Sequence, residues 1–171
     1  MKSLLLIISL FGLSACAHQM LVVSPTTSTA SVIFSNSSTG FTQQYFFEDP
    51  ITCKGPSIIT PLEPRESKSL IIPAGRTITI WTSAWGLPAE PGKVAWCRPS
   101  ALSTRLLPSH SYRIEFIADP YQKKCGVLLS SPDDPYVKQV LRHVDGPEIA
   151  GGPLTKSFSC GTADDLGGLT P

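Results

Sequence analysis

The chain has 171 residues, with 14 Lys and Arg against 13 Asp and Glu and 42% hydrophobic residues. That length and composition suit one domain with a real apolar core, and exclude two large domains or a mostly disordered chain. Lys2 is the only charged residue in the first 15 positions, so the remainder balances its charges and carries no electrostatic footprint for nucleic acid.

Lys2 supplies a positive start, Leu4 to Leu13 an apolar run broken only by Ser9 and Gly12, and Ser14 and Ala15 two small residues before Cys16. The pattern predicts a signal peptide over residues 1–15. A membrane-spanning helix would need about 20 apolar residues to cross roughly 30 Å of hydrocarbon, and His18 and Gln19 interrupt too soon. The alternatives are an ordinary secretory signal ending in a chance cysteine and a short buried helix. The junction Leu13-Ser14-Ala15-Cys16 resembles the lipobox of bacterial lipoprotein precursors at all four positions. The resemblance implies that Cys16 carries a diacylglyceryl thioether, that a dedicated peptidase cuts between Ala15 and Cys16, and that the new amino group is acylated. Several acyl chains on one residue anchor stably, since each buried CH₂ contributes about 0.8 kcal/mol. Ala17, standing where an Asp would retain such a lipoprotein at the inner membrane, implies the periplasmic face of the outer membrane of a Gram-negative bacterium.

Residues 16–31, rich in Ser and Thr around Pro25, are expected to form the lipid anchor and a tether. Short β-rich runs follow at Val32–Ser35, Thr42–Phe47, Ser57–Thr60, Ser69–Ile72, Thr77–Trp85, Val94–Arg98, Tyr112–Ala118 and Cys125–Ser130, separated by Pro and Gly turn signals. The predicted fold is all-β, a single β-sandwich-like domain of seven or eight short strands over residues 32–131. Ile78 and Ile80, like Ile114 and Phe116, alternate with polar neighbours and point to a core. Leu70–Arg76, with Pro73 and Gly75, suggests a tight hairpin. One C-terminal helix is predicted over 132–145, capped by Asp133 or Asp134, with Pro135 in its first turn and Val137, Val140, Leu141 and Val144 on one stripe. The Gly- and Pro-rich tail, 146–171, is expected to be irregular.

Beyond Cys16 the cysteines are Cys53, Cys97, Cys125 and Cys160, an even set without a Cys-x-x-Cys pair or a nearby histidine. In an exported protein they read as disulfides and not as a metal site. Four cysteines allow three connectivities. If the strands near 94–98, 112–118 and 125–130 run as a meander, Cys97 and Cys125 lie two strands apart, beyond the ~7 Å reach of a bridge. That geometry favours Cys53 with Cys97 and Cys125 with Cys160.

No nucleophile elbow, metalloprotease helix, phosphate loop or calcium loop occurs. His110, between Ser109 and Ser111, reads as a turn residue, and the acidic pairs Asp133-Asp134 and Asp164-Asp165 as a cap and part of the tail. No catalytic residue, metal site or cofactor is therefore assigned, and the chain is expected not to be an enzyme. Asn36-Ser37-Ser38 spells a glycosylation acceptor that is idle in a bacterium. The aromatic residues stand out more. Trp81 and Trp85 fall with Thr77, Thr79 and Ser83 on the face of their strand opposite Ile78 and Ile80, about 13 Å apart. With Trp96 nearby, they could form a sugar-stacking or protein-binding surface, unless the tail, the helix or the second sheet covers that face.

Cys53, Ile71-Ile72-Pro73-Ala74-Gly75, Cys97, Pro108, Tyr112-Arg113-Ile114-Glu115-Phe116 and Cys125-Gly126-Val127 are together similar to small uncharacterised β-sandwich lipoproteins of Gram-negative bacteria, over roughly residues 30–130. Ser109 stands where those proteins often have Gly, and no catalytic residue is carried over. The expected function is that of a membrane-anchored structural or protein-interaction component of the cell envelope. A glycan or small-ligand binding module is the alternative. The expected partners are the membrane, through Cys16, and an envelope protein or peptidoglycan, with no nucleic acid.

Overall fold

The computed structural model describes residues 20–87, 100–119, 124–145 and 159–160. The strands in chain order are β1 (Thr29–Asn36), β2 (Phe41–Asp49), β3 (Lys54–Leu62), β4 (Ser67–Pro73), β5 (Thr77–Trp85), β6 (Ser100–Arg105), β7 (Ser111–Asp119), β8 (Lys124–Ser130), β9 (Gln139–Asp145) and β10 (Ser159–Cys160). They form two sheets, ordered β4-β1-β7-β8 and β10-β9-β6-β5-β2-β3. β1 runs parallel to β7, and every other pair of adjacent strands is antiparallel.

Period-two patterning explains how the sheets pack. Val32 and Phe34 of β1 and Tyr112, Ile114 and Phe116 of β7 face Phe46, Ile78, Ile80 and Leu102 of the larger sheet across one buried core. Each large side chain removed from water stabilises the sandwich by roughly 1.5–3 kcal/mol. Asn36 closes one end: its amide donates to the Gly40 and Glu63 carbonyls at 2.7 and 2.9 Å, and its Oδ1 accepts from the Ser38 amide and hydroxyl. The would-be glycan acceptor is thus a buried peg tying the β1–β2 turn to the β3–β4 turn. Elsewhere the Tyr112 hydroxyl accepts from the Leu107 amide at 2.8 Å. Ser109 beside it adopts φ 62°, the left-handed conformation glycine takes without steric cost.

Several expectations are corrected. Leu70–Arg76 is not a hairpin, because β4 pairs with β1 while β5 lies in the other sheet. The connection crosses between sheets with Gly75 at φ 80°. The helix expected over 132–145 is absent among the described residues; 139–145 form β9, paired with β6. The free edge of β6 offers a ladder of backbone partners, and Val140, Arg142 and Val144 also satisfy a period of two. Asp133 caps no helix: its Oδ2 accepts the Ser111 amide of β7 at 2.8 Å. β6 itself was not foreseen, while the expected strand 94–98 lies outside the described residues. Part of the expected irregular tail, Ser159–Cys160, pairs with β9. The described part of the expected tether is docked on the sandwich. Met20 bridges Ile58, the Leu21 amide donates to the Ile58 carbonyl at 2.8 Å, and Leu21 packs on the core.

Phe34→Ala should lower stability by about 3–5 kcal/mol in urea unfolding, whereas Ile71→Ala, on the open face of β4, should change it by about 0.5 kcal/mol or less. Comparable losses at both positions would contradict this assignment of faces. Ser109→Gly should stabilise by up to about 1 kcal/mol in the same assay, since it relieves a left-handed non-glycine residue.

Candidate functional site

Two places hold the residues singled out in the sequence: the outer face of the six-stranded sheet and the start of the described chain. On the outer face, Tyr45 of β2, Trp81 of β5, Ala101 of β6 and Arg142 of β9 are successive cross-strand neighbours. Tyr45, Phe47, Cys53, Trp81, Ala101 and Val144 form a second, smaller core, with Ile58 and Cys160 packed against it.

The β2–β3 loop makes that core possible by folding over the sheet. Asp49 organises the loop: its Oδ1 accepts the Ile51 and Thr52 amides at 2.9 and 3.2 Å, and its Oδ2 the Thr52 hydroxyl at 2.5 Å. These bonds, the Thr52 hydroxyl foremost, hold its carboxyl below the usual range. The Pro50 carbonyl then accepts from the Thr79 hydroxyl of β5 at 2.9 Å and from Arg142 Nη1 of β9 at 2.7 Å, and Arg142 Nη2 donates to the Ile51 carbonyl at 2.9 Å. Cys53, at φ 55°, is carried over the sheet to Cys160 on β10.

Cys53–Cys160 is a disulfide with Cα atoms 5.4 Å apart. The expected pairs Cys53–Cys97 and Cys125–Cys160 are both overturned. The meander premise concerned only Cys97 and Cys125 and said nothing of the β2–β3 loop, a flap that carries Cys53 to Cys160 on the opposite edge strand of its own sheet. Cys125 is also disulfide-bonded, to a partner outside the described residues.

This flap also decides the tryptophans. Trp81 is only 1% exposed, tilted against Tyr45 with ring centroids 5.0 Å apart, so it belongs to no binding surface. Trp85 is 39% exposed, and Trp96 lies outside the described residues. Sequence reasoning missed Phe41, 45% exposed, which sits opposite Trp85 in the β2–β5 register and stacks on it with centroids 6.2 Å apart and planes 15° from parallel. Only the strand pairing could have revealed this exposed aromatic pair. Gly40 supports it, because a β-carbon there would lie 2.6 Å from the Trp85 carbonyl oxygen and 2.8 Å from the Leu87 side chain.

At the other place, Cys16 lies outside the described residues. Met20, Val22, Val23, Phe46, Glu48 and Arg76 are among the residues lining a cleft of about 190 Å³ between the first described segment and the sandwich. The Arg76 guanidinium lies 5.9 Å over the Phe46 ring. His110 Nδ1 is 2.8 Å from the Pro108 carbonyl, as a turn residue would be. Among the described residues, no cluster of His, Cys, Asp or Glu is placed to hold a metal ion, and no helix is long and apolar enough to cross a membrane. No protein-family model and no curated protein matches the chain.

Cys160→Ala should cost about 2–4 kcal/mol, because it opens a loop between residues far apart in the chain. A non-reducing peptide map should contain the Cys53–Cys160 cross-link, and a map without it would contradict the flap's attachment. Burial raises the Tyr45 hydroxyl above the ordinary value of 10.0, partly offset by its hydrogen bond with Ser83. A raised folded-state value stabilises fully below the unfolded one and is lost as pH climbs through the folded one. Denaturant unfolding should therefore show stability falling above about pH 10, and falling less steeply in Tyr45→Phe.

Proposed function

We propose that this protein is a lipid-anchored, non-enzymatic component of the cell envelope. Cys16 holds it at the periplasmic face of the outer membrane of a Gram-negative bacterium, where it presents a disulfide-braced sandwich to a protein partner. The observation that carries this reading is Leu13-Ser14-Ala15-Cys16, placed at the end of an apolar run too short to span a bilayer. Cys53–Cys160 supports it, since such bridges persist in oxidising compartments. The reading also assigns the other bridge: with Cys16 acylated, Cys97 is the cysteine left to pair with Cys125.

The Phe41–Trp85 stack favours a second reading, a glycan-binding module. Exposed near-parallel aromatic rings at a strand end are the kind of apolar face on which a sugar ring stacks. On this reading Trp85 and Phe41 are the contact residues, and Trp81 is not.

Cys16→Ala should leave the precursor unprocessed or release the protein from the membrane fraction. If the variant is processed and sediments with outer membrane as the native protein does, the anchor is elsewhere. For the second reading, peptidoglycan fragments should quench or shift tryptophan emission in the native protein and not in Trp85→Phe. Identical titrations of the two proteins would remove the aromatic site.

A further inference from the structure

We propose that the β3 edge of the sandwich lies directly on the membrane, with Met20 and Val22 seated in the headgroup boundary, so that the anchor fixes the orientation of the domain as well as its location. The inference rests on the acylation of Cys16 proposed above. Three residues lie between Cys16 and Met20, so the four residue steps span at most about 14 Å even when fully extended. Met20 is already fastened to β3, through its bridge to Ile58 and the bond from the Leu21 amide to the Ile58 carbonyl. No slack therefore remains for the domain to stand away from the bilayer.

The side chains at this point suit the position. Val22 is 81% exposed and Met20 53%, although the residue between them, Leu21, turns inward to the core. Apolar side chains at a lipid interface sink roughly 5–10 Å into the boundary between headgroups and acyl chains. Arg76, lining the same cleft, is a cation within reach of lipid phosphate, and Glu48 beside it makes the patch mixed in charge and not strongly basic. β3 and β10 are the edge strands of the six-stranded sheet, and the bridge from Cys53, next to the start of β3, to Cys160 on β10, with Cα atoms 5.4 Å apart, draws the two edges together at that end.

Met1 and Met20 are the two methionines of the chain, so after processing Met20 is alone, and its oxidation can be read by intact mass. The lipidated protein in phosphatidylethanolamine–phosphatidylglycerol vesicles is treated with taurine chloramine, a charged oxidant that stays in water. It is compared with a lipidated variant carrying a Gly-Ser insertion of about 12 residues between Ala17 and His18. Oxidation at Met20 should be at least about fivefold slower in the native-length protein, because susceptibility follows exposure. Val22→Asp, at native length, should restore fast oxidation. Equal rates in the native-length and extended proteins, both with acylated Cys16, would overturn the proposed orientation and leave the anchor standing. Absence of acyl mass on Cys16 would overturn the anchor and this inference with it.

Discussion

The carbonyl oxygen of Pro50 takes hydrogen bonds from Thr79 on β5 and from Arg142 on β9, and much of the architecture depends on that convergence. It holds the β2–β3 loop down over the outer face of the larger sheet, turning a face that would otherwise be wet into a second core around Trp81. Arg142 is itself buried. Burying a guanidinium is costly unless its donors are satisfied, and two loop carbonyls satisfy two of them, so each side stabilises the other. Removal of Arg142 would leave the carbonyls of Pro50 and Ile51 without their charged donor while uncovering Trp81. The Cys53–Cys160 bridge fastens the same flap covalently, and Asp49 shapes it from within.

This double burial explains what the sequence could and could not reveal. Strands with one face on the main core, such as Ile78 and Ile80 in β5 or Ile114 and Phe116 in β7, announce themselves by alternation. β6 does not. Its Ala101, Leu102, Ser103 and Thr104 are all buried, and a strand covered on both sides, filled with small and hydroxylated residues, shows no apolar period. β9 was misread for a related reason. Val137, Val140, Leu141 and Val144 fit a helical stripe, but the pairing edge of β6, a long-range partner, decides the matter, and local pattern carries no information about it.

The tryptophans make the same point at the level of the site. Alternation correctly separated Trp81 from Ile80, but whether the opposite face was open depended on a loop whose course only tertiary structure specifies. Phe41 lay just outside the expected run Thr42–Phe47 and gained meaning only through its register with Trp85. The expected disulfide pairing failed because it rested on strand spacing around Cys97 and Cys125 alone, whereas the course of the β2–β3 loop is what brings Cys53 to Cys160. By contrast Ser109, next to Pro108 in a stretch of turn residues, does occupy a left-handed position, a backbone constraint of the kind that local turn chemistry signals.

In the proposed account, the amino-terminal cysteine determines address, the short segment after it determines orientation, and the flap and its bridge make the sandwich rigid enough to present a defined surface. The most direct test is the intact mass of the native protein extracted from its own membranes in mild detergent. The account predicts a chain beginning at Cys16 that carries diacylglyceryl and amide-linked acyl groups, with the remaining four cysteines oxidised in pairs. A chain that begins elsewhere, or one with an unmodified Cys16, would contradict it.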